Sequence, residues 1–293
     1  MRGILPLPHG GLMYNDFLGI RRERMKKLAA RNKRKRLWPW VATAALCAVG
    51  LAAALVPGKK PQASASVSYR LAARHPHDPA AFTQGLVYLD GSLYESTGQY
   101  GESMLRMVEI ATGRVLRKKA LGREYFAEGL AERAGRLYQL TWREKTGFIY
   151  ETRDFSRVGS FAYEGEGWGL AHDGRSLVMS DGSSTLAFLD PKTLKAVRRL
   201  PVLYRGIPVD RLNELEYVRG EIWANVWLTD RIARIDPATG FVTGWLDLSA
   251  LYPQHDRTPE ADVMNGLAFD EAENRLFVTG KYWPWLFELS LNF

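Results

Sequence analysis

Cysteine is almost missing from this chain: one in 293 residues, Cys47, which sits inside an apolar run. Everything after that run therefore has neither disulfide staples nor thiolate metal sites, and its stability must come from packing, which a chain of this length can supply. Also missing are a P-loop, a G-x-S-x-G elbow and an H-E-x-x-H helix, so nucleotide, serine-hydrolase and zincin chemistry have no motif to rest on. Histidine is scarce: His9, His75, His77, His172 and His255. Only His75 and His77 stand together, in Arg74-His75-Pro76-His77-Asp78-Pro79. That stretch reads first as a turn, with a metal site as the weaker reading, so a zinc hydrolase has little support. Beyond residue 67 there is no sustained 3.6-residue periodicity, apart from a turn near Leu248 to Tyr252.

Charge is plentiful but unevenly placed. The net charge of +8 would suggest a nucleic-acid binder if it were spread over the chain. Residues 1–60 carry 13 Lys/Arg against Asp16 and Glu23, which leaves 27 Lys/Arg against 30 Asp/Glu, a net of −3, in the remainder. The folded part is mildly acidic, and nucleic acid is not expected as a partner. The basic excess forms an export leader: Arg31–Arg36 is basic except for Asn32, Trp38-Pro39-Trp40 follows, and Val41–Val56 is uncharged and apolar. Residues 1–40 are read as a basic cytoplasmic leader and 41–56 as a signal-peptide core or membrane anchor, somewhat short for a span. Residues 57–66 form a Pro/Ser/Ala linker in which Ala63-Ser64-Ala65 is a candidate cleavage site. Met25 is an alternative start that gives a more ordinary leader. The expected location is the periplasm or outside, either free or tethered to the inner membrane through 41–56.

From residue 67 onward one phrase returns five times: a small or polar residue, Leu, and a second hydrophobic strand about seven residues on. The copies are Gln84-Gly85-Leu86, Glu128-Gly129-Leu130, Trp168-Gly169-Leu170, Glu214-Leu215-Glu216 and Asn265-Gly266-Leu267. Their spacing of roughly 40 to 50 residues is that of a four-stranded propeller blade. Asp90-Gly91, Ala134-Gly135, Asp173-Gly174, Arg219-Gly220 and Glu271–Asn274 supply a turn between the first two strands of each copy. A second turn class, at 110–113, 189–193 and 235–240, separates later strands. The expected fold is all-β, a five-bladed propeller over residues 67–293, preceded by the signal or anchor helix. Val67–Ala72 is expected to close the ring against Leu286–Leu291.

A purely structural repeat would be bland just before its Leu. Here those positions hold Gln84, Glu128, Trp168, Asn213 beside Glu214, and Asn265, and the opposite strand ends add Glu95, Trp142, Asp181, Asn225, Trp227 and Lys281. Any one Trp in a propeller is more often core than ligand wall. Recurrence at one phase, with Glu128 and Lys281 each in apolar surroundings, points to a polar pocket with aromatic walls at one mouth of the channel.

These residues are familiar as a set. His77 to Leu86, Phe126-Ala127-Glu128-Gly129, Leu140 to Lys145, Glu166 to Leu170, Asn213 to Tyr217, Asn225-Val226-Trp227, Asn265 to Ala268 and Thr279-Gly280-Lys281 closely resemble the plant and bacterial type of glutaminyl-peptide cyclotransferase, in order over residues 70–290. The resemblance implies a five-bladed propeller that cyclises an N-terminal glutamine of a peptide or protein to pyroglutamate with release of ammonia. It implies Glu128 as the proton shuttle, with Lys281 and Asn213 stabilising the oxyanion. It implies Gln84 as a hydrogen-bonding substrate contact, and Phe82, Phe126, Trp142, Trp168 and Trp227 as a cage. No metal ligands and no required cofactor are expected, although a structural calcium ion in the central channel is an option it leaves open. The enzyme is expected to be a monomer. Two other classes stay in view: a calcium-dependent propeller lactonase or hydrolase, and a non-catalytic envelope binding propeller.

Overall fold

The computed structural model describes residues 67–293; the basic leader, the 41–56 run and the linker lie outside the described residues. Among the described residues no helix is long and apolar enough to cross a membrane. The structure is five four-stranded antiparallel sheets and one small two-stranded hairpin.

Strand β1 (Ser68–Pro76) comes first in the chain but belongs to the last blade. Blade 1 is β2 (Thr83–Leu89), β3 (Ser92–Thr97), β4 (Met104–Glu109) and β5 (Val115–Ala120). Blade 2 is β6 (Ala127–Arg133), β7 (Arg136–Thr141), β8 (Thr146–Glu151) and β9 (Arg157–Ala162). Blade 3 is β10 (Leu170–His172), β11 (Leu177–Met179), β12 (Thr185–Leu189) and β13 (Ala196–Pro201). The small hairpin β14 (Leu203–Tyr204) and β15 (Ile207–Pro208) leads into blade 4. That blade is β16 (Leu212–Val218), β17 (Glu221–Val226), β18 (Arg231–Ile235) and β19 (Val242–Asp247). Blade 5 is β20 (Met264–Asp270), β21 (Arg275–Gly280) and β22 (Trp285–Asn292), completed by β1, which pairs Leu71 with Leu289 and Tyr69 with Leu291. The expected closure is therefore present, and it leaves no open sheet at the seam. The expected turn near Leu248–Tyr252 is present, with Leu251 N–H donating to Leu248 C=O at 3.0 Å, and a single 3-10 turn at Gln254–Asp256 follows it.

Local sequence explains the hairpins. Asp90 and Gly91 have φ of 48° and 78°, Ala134 and Gly135 of 53° and 76°, and Arg219 and Gly220 of 45° and 88°. Two consecutive positive φ angles match the twist of the flanking strands, and Gly at the second position makes this inexpensive. The core is not central. Five apolar clusters lie one between each pair of neighbouring blades, for example Tyr94 and Leu105 of blade 1 against Leu130, Leu137 and Phe148 of blade 2. Leu86 and Leu93 of blade 1 pack on Ala268, Phe277 and Leu286 of blade 5. The outermost strands are exposed and basic, with Arg117, Lys118 and Lys119 on β5 and Arg198 and Arg199 on β13, which discourages further strand pairing.

One irregularity recurs and positions everything that follows. In β2, β6, β16 and β20 the register with the next strand slips just before the Leu, between Thr83 and Gly85, Ala127 and Leu130, Leu212 and Leu215, and Met264 and Leu267. A bulge re-aims the side chain of the bulged residue, and the residues caught in these bulges include Gln84, Glu128, Asn213 and Asn265. The next position along is a glycine in four blades. A Cβ at Gly85 would lie 2.5 Å from the Leu130 nitrogen, so the inner strands meet too closely there for a side chain. In blade 4 that position is Glu214. Its carboxylate accepts from Leu86 N–H of blade 1 at 3.3 Å and from Leu267 N–H of blade 5 at 2.9 Å. Blades 4 and 1 are not neighbours, so this fully buried side chain reaches across the propeller axis.

Candidate active site

The bulges place the polar residues at the mouth where the inner strands begin. Glu128 is 5% exposed, and one of its oxygens accepts from the Gln84 side-chain amide at 2.8 Å. The Gln84 carbonyl oxygen in turn accepts from Asn265 Nδ2 at 3.4 Å, and the same nitrogen donates to Thr83 C=O at 3.1 Å. With its oxygen turned to Asn265, Gln84 presents NH₂ to Glu128, the orientation that suits a carboxylate. Burial holds the Glu128 carboxyl well above the ordinary glutamate range; the Lys281 ammonium opposes this, while the Glu166 and Glu144 charges add to it. Lys281 is also buried, and burial pushes its ammonium below the usual lysine value, offset in part by Glu128 and Asp262. A carboxyl raised toward neutrality beside a lysine lowered toward it is the pattern of groups that exchange protons near neutral pH.

Around this pair the aromatics form an arc. The Lys281 ammonium lies 4.5 Å from the Phe82 ring centroid. Phe82 meets Phe126 edge-on at 5.9 Å, and Phe126 meets Trp142 at 5.6 Å. Trp168 and Trp227 make a second T-shaped pair at 5.6 Å. Glu166 joins the two groups, because one of its oxygens accepts from Trp142 Nε1 at 2.9 Å and from Trp168 Nε1 at 3.0 Å. Trp142 and Trp227 lie twelve residues after their repeat Leu, the position held in blades 1 and 3 by Gly98 and Gly182; Lys281 likewise follows the second strand of its blade but lies fourteen residues after Leu267, because the blade 5 hairpin is longer. A Cβ at Gly98 would lie 2.3 Å from the Phe126 ring, so the missing side chain is the space that Phe126 fills.

A sequence profile of the glutamine cyclotransferase family matches residues 42–291. A glutaminyl-peptide cyclotransferase of Arabidopsis thaliana is 45% identical over 244 residues, covering 80% of this chain and 76% of the plant protein. The chain belongs to the glutamine cyclotransferase family. A crystal structure of glutaminyl cyclase from Myxococcus xanthus has the same architecture: 40% identity, a TM-score of 0.71, and 76% of this chain covered against 96% of that one.

Of the nine residues expected from the sequence, ring contacts join Lys281, Phe82, Phe126 and Trp142, a hydrogen bond joins Gln84 to Glu128, and the Trp168–Trp227 pair is linked to Trp142 through Glu166. Asn213 stands at the same phase on β16, 3% exposed, and among the described residues its side-chain oxygen has no hydrogen-bond partner. Three of the expected lining residues are placed otherwise. Glu95 does not face the pocket. It is buried in a separate cluster, where it accepts from Thr83 Oγ1 at 2.6 Å and pairs with His77 and Arg106. Asp181 caps its own loop by accepting from Ser183 N–H and Oγ. Asn225 accepts from Gly266 N–H at 3.2 Å and so ties blade 4 to blade 5. His75 and His77 diverge: His75 meets Glu288 at 2.8 Å, while His77 lies between Trp283 C=O at 2.7 Å and Glu95 at 3.1 Å.

Other members of the site were not apparent from the sequence. Ser96 Oγ donates to Glu128 C=O and Ser180 Oγ to Asn213 C=O, so a hydroxyl on one blade fixes the backbone of the functional residue on the next. Their signal was a small hydroxyl residue at the same phase of the second strand in two blades. Among the described residues no group of three or more His, Cys, Asp or Glu side chains is arranged to hold a metal ion. Glu214, the carboxylate nearest the axis, already holds two backbone N–H donors.

Proposed function

We propose that this chain is a glutaminyl-peptide cyclotransferase, an aminoacyltransferase that cyclises the N-terminal glutamine of peptides and proteins to pyroglutamate and releases ammonia. The observation that carries the reading is Glu128: buried, held by Gln84, opposed by Lys281 and walled by the aromatic arc. The reaction is intramolecular, so a large part of the task is folding the glutamine side chain back until its amide carbon meets its own α-nitrogen. Phe82, Phe126, Trp142, Trp168 and Trp227 suit that task, since they offer rigid faces and exclude water.

As the α-nitrogen attacks the amide carbon, Glu128 takes a proton from it, and the carbonyl oxygen becomes an oxyanion. Lys281 and the Asn213 amide stabilise that charge. Glu128 then returns the proton to the departing nitrogen, the old carbon–nitrogen bond breaks, and ammonia leaves as the carbonyl reforms. A carboxyl raised by burial serves both halves, because it accepts a proton and gives it back near neutrality. Gln84 keeps the carboxylate turned to the substrate. No step calls on a metal.

The order of basic cluster, apolar run and linker in residues 31–66 supports export of the domain, and we take it to act as a monomer in the periplasm or on the outer face of the inner membrane. Fractionation of cells expressing the full chain checks the location. Purified protein incubated with a Gln-led peptide should release ammonia and a product 17 mass units lighter, as loss of NH₃ requires; release no faster than the spontaneous rate removes the cyclotransferase reading.

A further inference from the structure

Glu166 belongs to no step of the reaction just described, yet its geometry is unlike that of a carboxylate at a pocket rim. Its side chain is 39% exposed, which would allow water to satisfy both oxygens. Instead one oxygen receives two indole N–H groups, from Trp142 of blade 2 and Trp168 of blade 3, at 2.9 and 3.0 Å. The other oxygen lies 3.7 Å from Arg143 Nε, and the Arg143 guanidinium stacks 3.7 Å from the Trp142 ring centroid. Counting back four residues from the repeat Leu gives Phe82 in blade 1, Phe126 in blade 2 and Glu166 in blade 3. The third blade has thus put a carboxylate at the phase where the first two put cage rings.

On the cyclotransferase reading, we propose that Glu166 is a positioning residue, which ties Trp142 and Trp168 into one wall of the glutamine cage. Ring contacts run from Phe82 through Phe126 to Trp142, and a second pair joins Trp168 to Trp227. The carboxylate bonds one ring of each set. An indole ring held by packing alone pivots about two side-chain torsions, and a charge-assisted hydrogen bond at its nitrogen removes much of that freedom. A small misplacement of a cage wall is costly when catalysis depends on holding one conformer of the substrate.

Two substitutions test the tether. Glu166→Gln keeps an oxygen for both indoles; Glu166→Ala removes it. The expected outcome is that Glu166→Gln retains kcat within about threefold, while Glu166→Ala loses about tenfold or more in kcat with a smaller change in KM. A second readout needs no turnover. In ¹⁵N-labelled protein, the indole N–H signals of Trp142 and Trp168, assigned through Trp142→Phe and Trp168→Phe, should move strongly in Glu166→Ala and weakly in Glu166→Gln. If Glu166→Ala fails to fold, Trp142→Phe, which keeps a ring and removes the donor, should show the kcat loss instead. Equal kcat for the Gln and Ala variants, or indole signals that stay in place, overturns the tether. Inactive wild-type protein with indole signals that respond as expected refutes the cyclotransferase reading and leaves the tether standing.

Discussion

Glu95 and Glu128 are the same side chain, one blade apart and both removed from water, and the protein treats them in opposite ways. Around Glu95 every oxygen is answered. Arg106 pairs with one, His77 and Thr83 share the other, and Arg106 extends the cluster to Asp78 at 2.6 Å. Burial alone would raise the Glu95 carboxyl, but Arg106 and His77 outweigh it and push it far below the usual range. The ring of His77 lies between two acceptors, a backbone carbonyl and this carboxylate, so both of its nitrogens carry protons. Glu128 receives a single amide N–H and the field of one lysine, against two like charges, and its carboxyl rises. A buried charge that is fully compensated holds strands together; one left partly uncompensated has somewhere to send a proton.

The sharpest way to test that contrast is to make the same change at both sites. Glu128→Gln should cost on the order of 10²–10⁴ in kcat, and its melting temperature should hold or rise, because a strained buried charge has been removed. Unchanged turnover in a steady-state ammonia assay would end the assignment of the proton shuttle. Glu95→Gln should do the reverse. It strands His77 and Arg106 without their carboxylate, at a cost of about 3–5 kcal/mol read by denaturant titration, while the fraction still folded keeps its kcat. The sign with pH follows. Since folding depresses the Glu95 carboxyl, its contribution is full above the unfolded glutamate value and is lost as pH falls through the folded one.

A smaller effect lies in the pH profile of the wild type. Glu128 must be ionised to accept a proton, and its pKa is raised, so the acid limb of kcat should lie above the ordinary glutamate value of about 4.3. Lys281 must be charged, and its pKa is lowered, so the alkaline limb should lie below about 10.4; Lys281→Arg should push that limb up and narrow the contrast. Smallest of all is the response to EDTA, which should change kcat by less than about twofold, since acid–base and oxyanion effects carry the reaction. A large loss would reopen the metal-dependent hydrolase class.

Much of this was legible in the sequence because propellers repeat. The period, the Asp90-Gly91 type of hairpin and the closing strand follow from local pattern, and the phase of Gln84, Glu128 and Lys281 was enough to gather them. What the sequence hid was direction. Glu95 shares its strand with pocket neighbours, but whether it faces them depends on His77 and Arg106, which reach it from other strands. Asn213 and Glu214 looked like one polar pair; a bulge of one residue sends the first to the mouth and the second to the axis. The part Glu166 plays was hidden because the indole nitrogens that engage it come from two blades.

Glu214 has a consequence for how the blades hold together. With its carboxylate joined to blades 1 and 5, one side chain of blade 4 acts as a hub pin, so strands 128 residues apart in the chain share a single fastening.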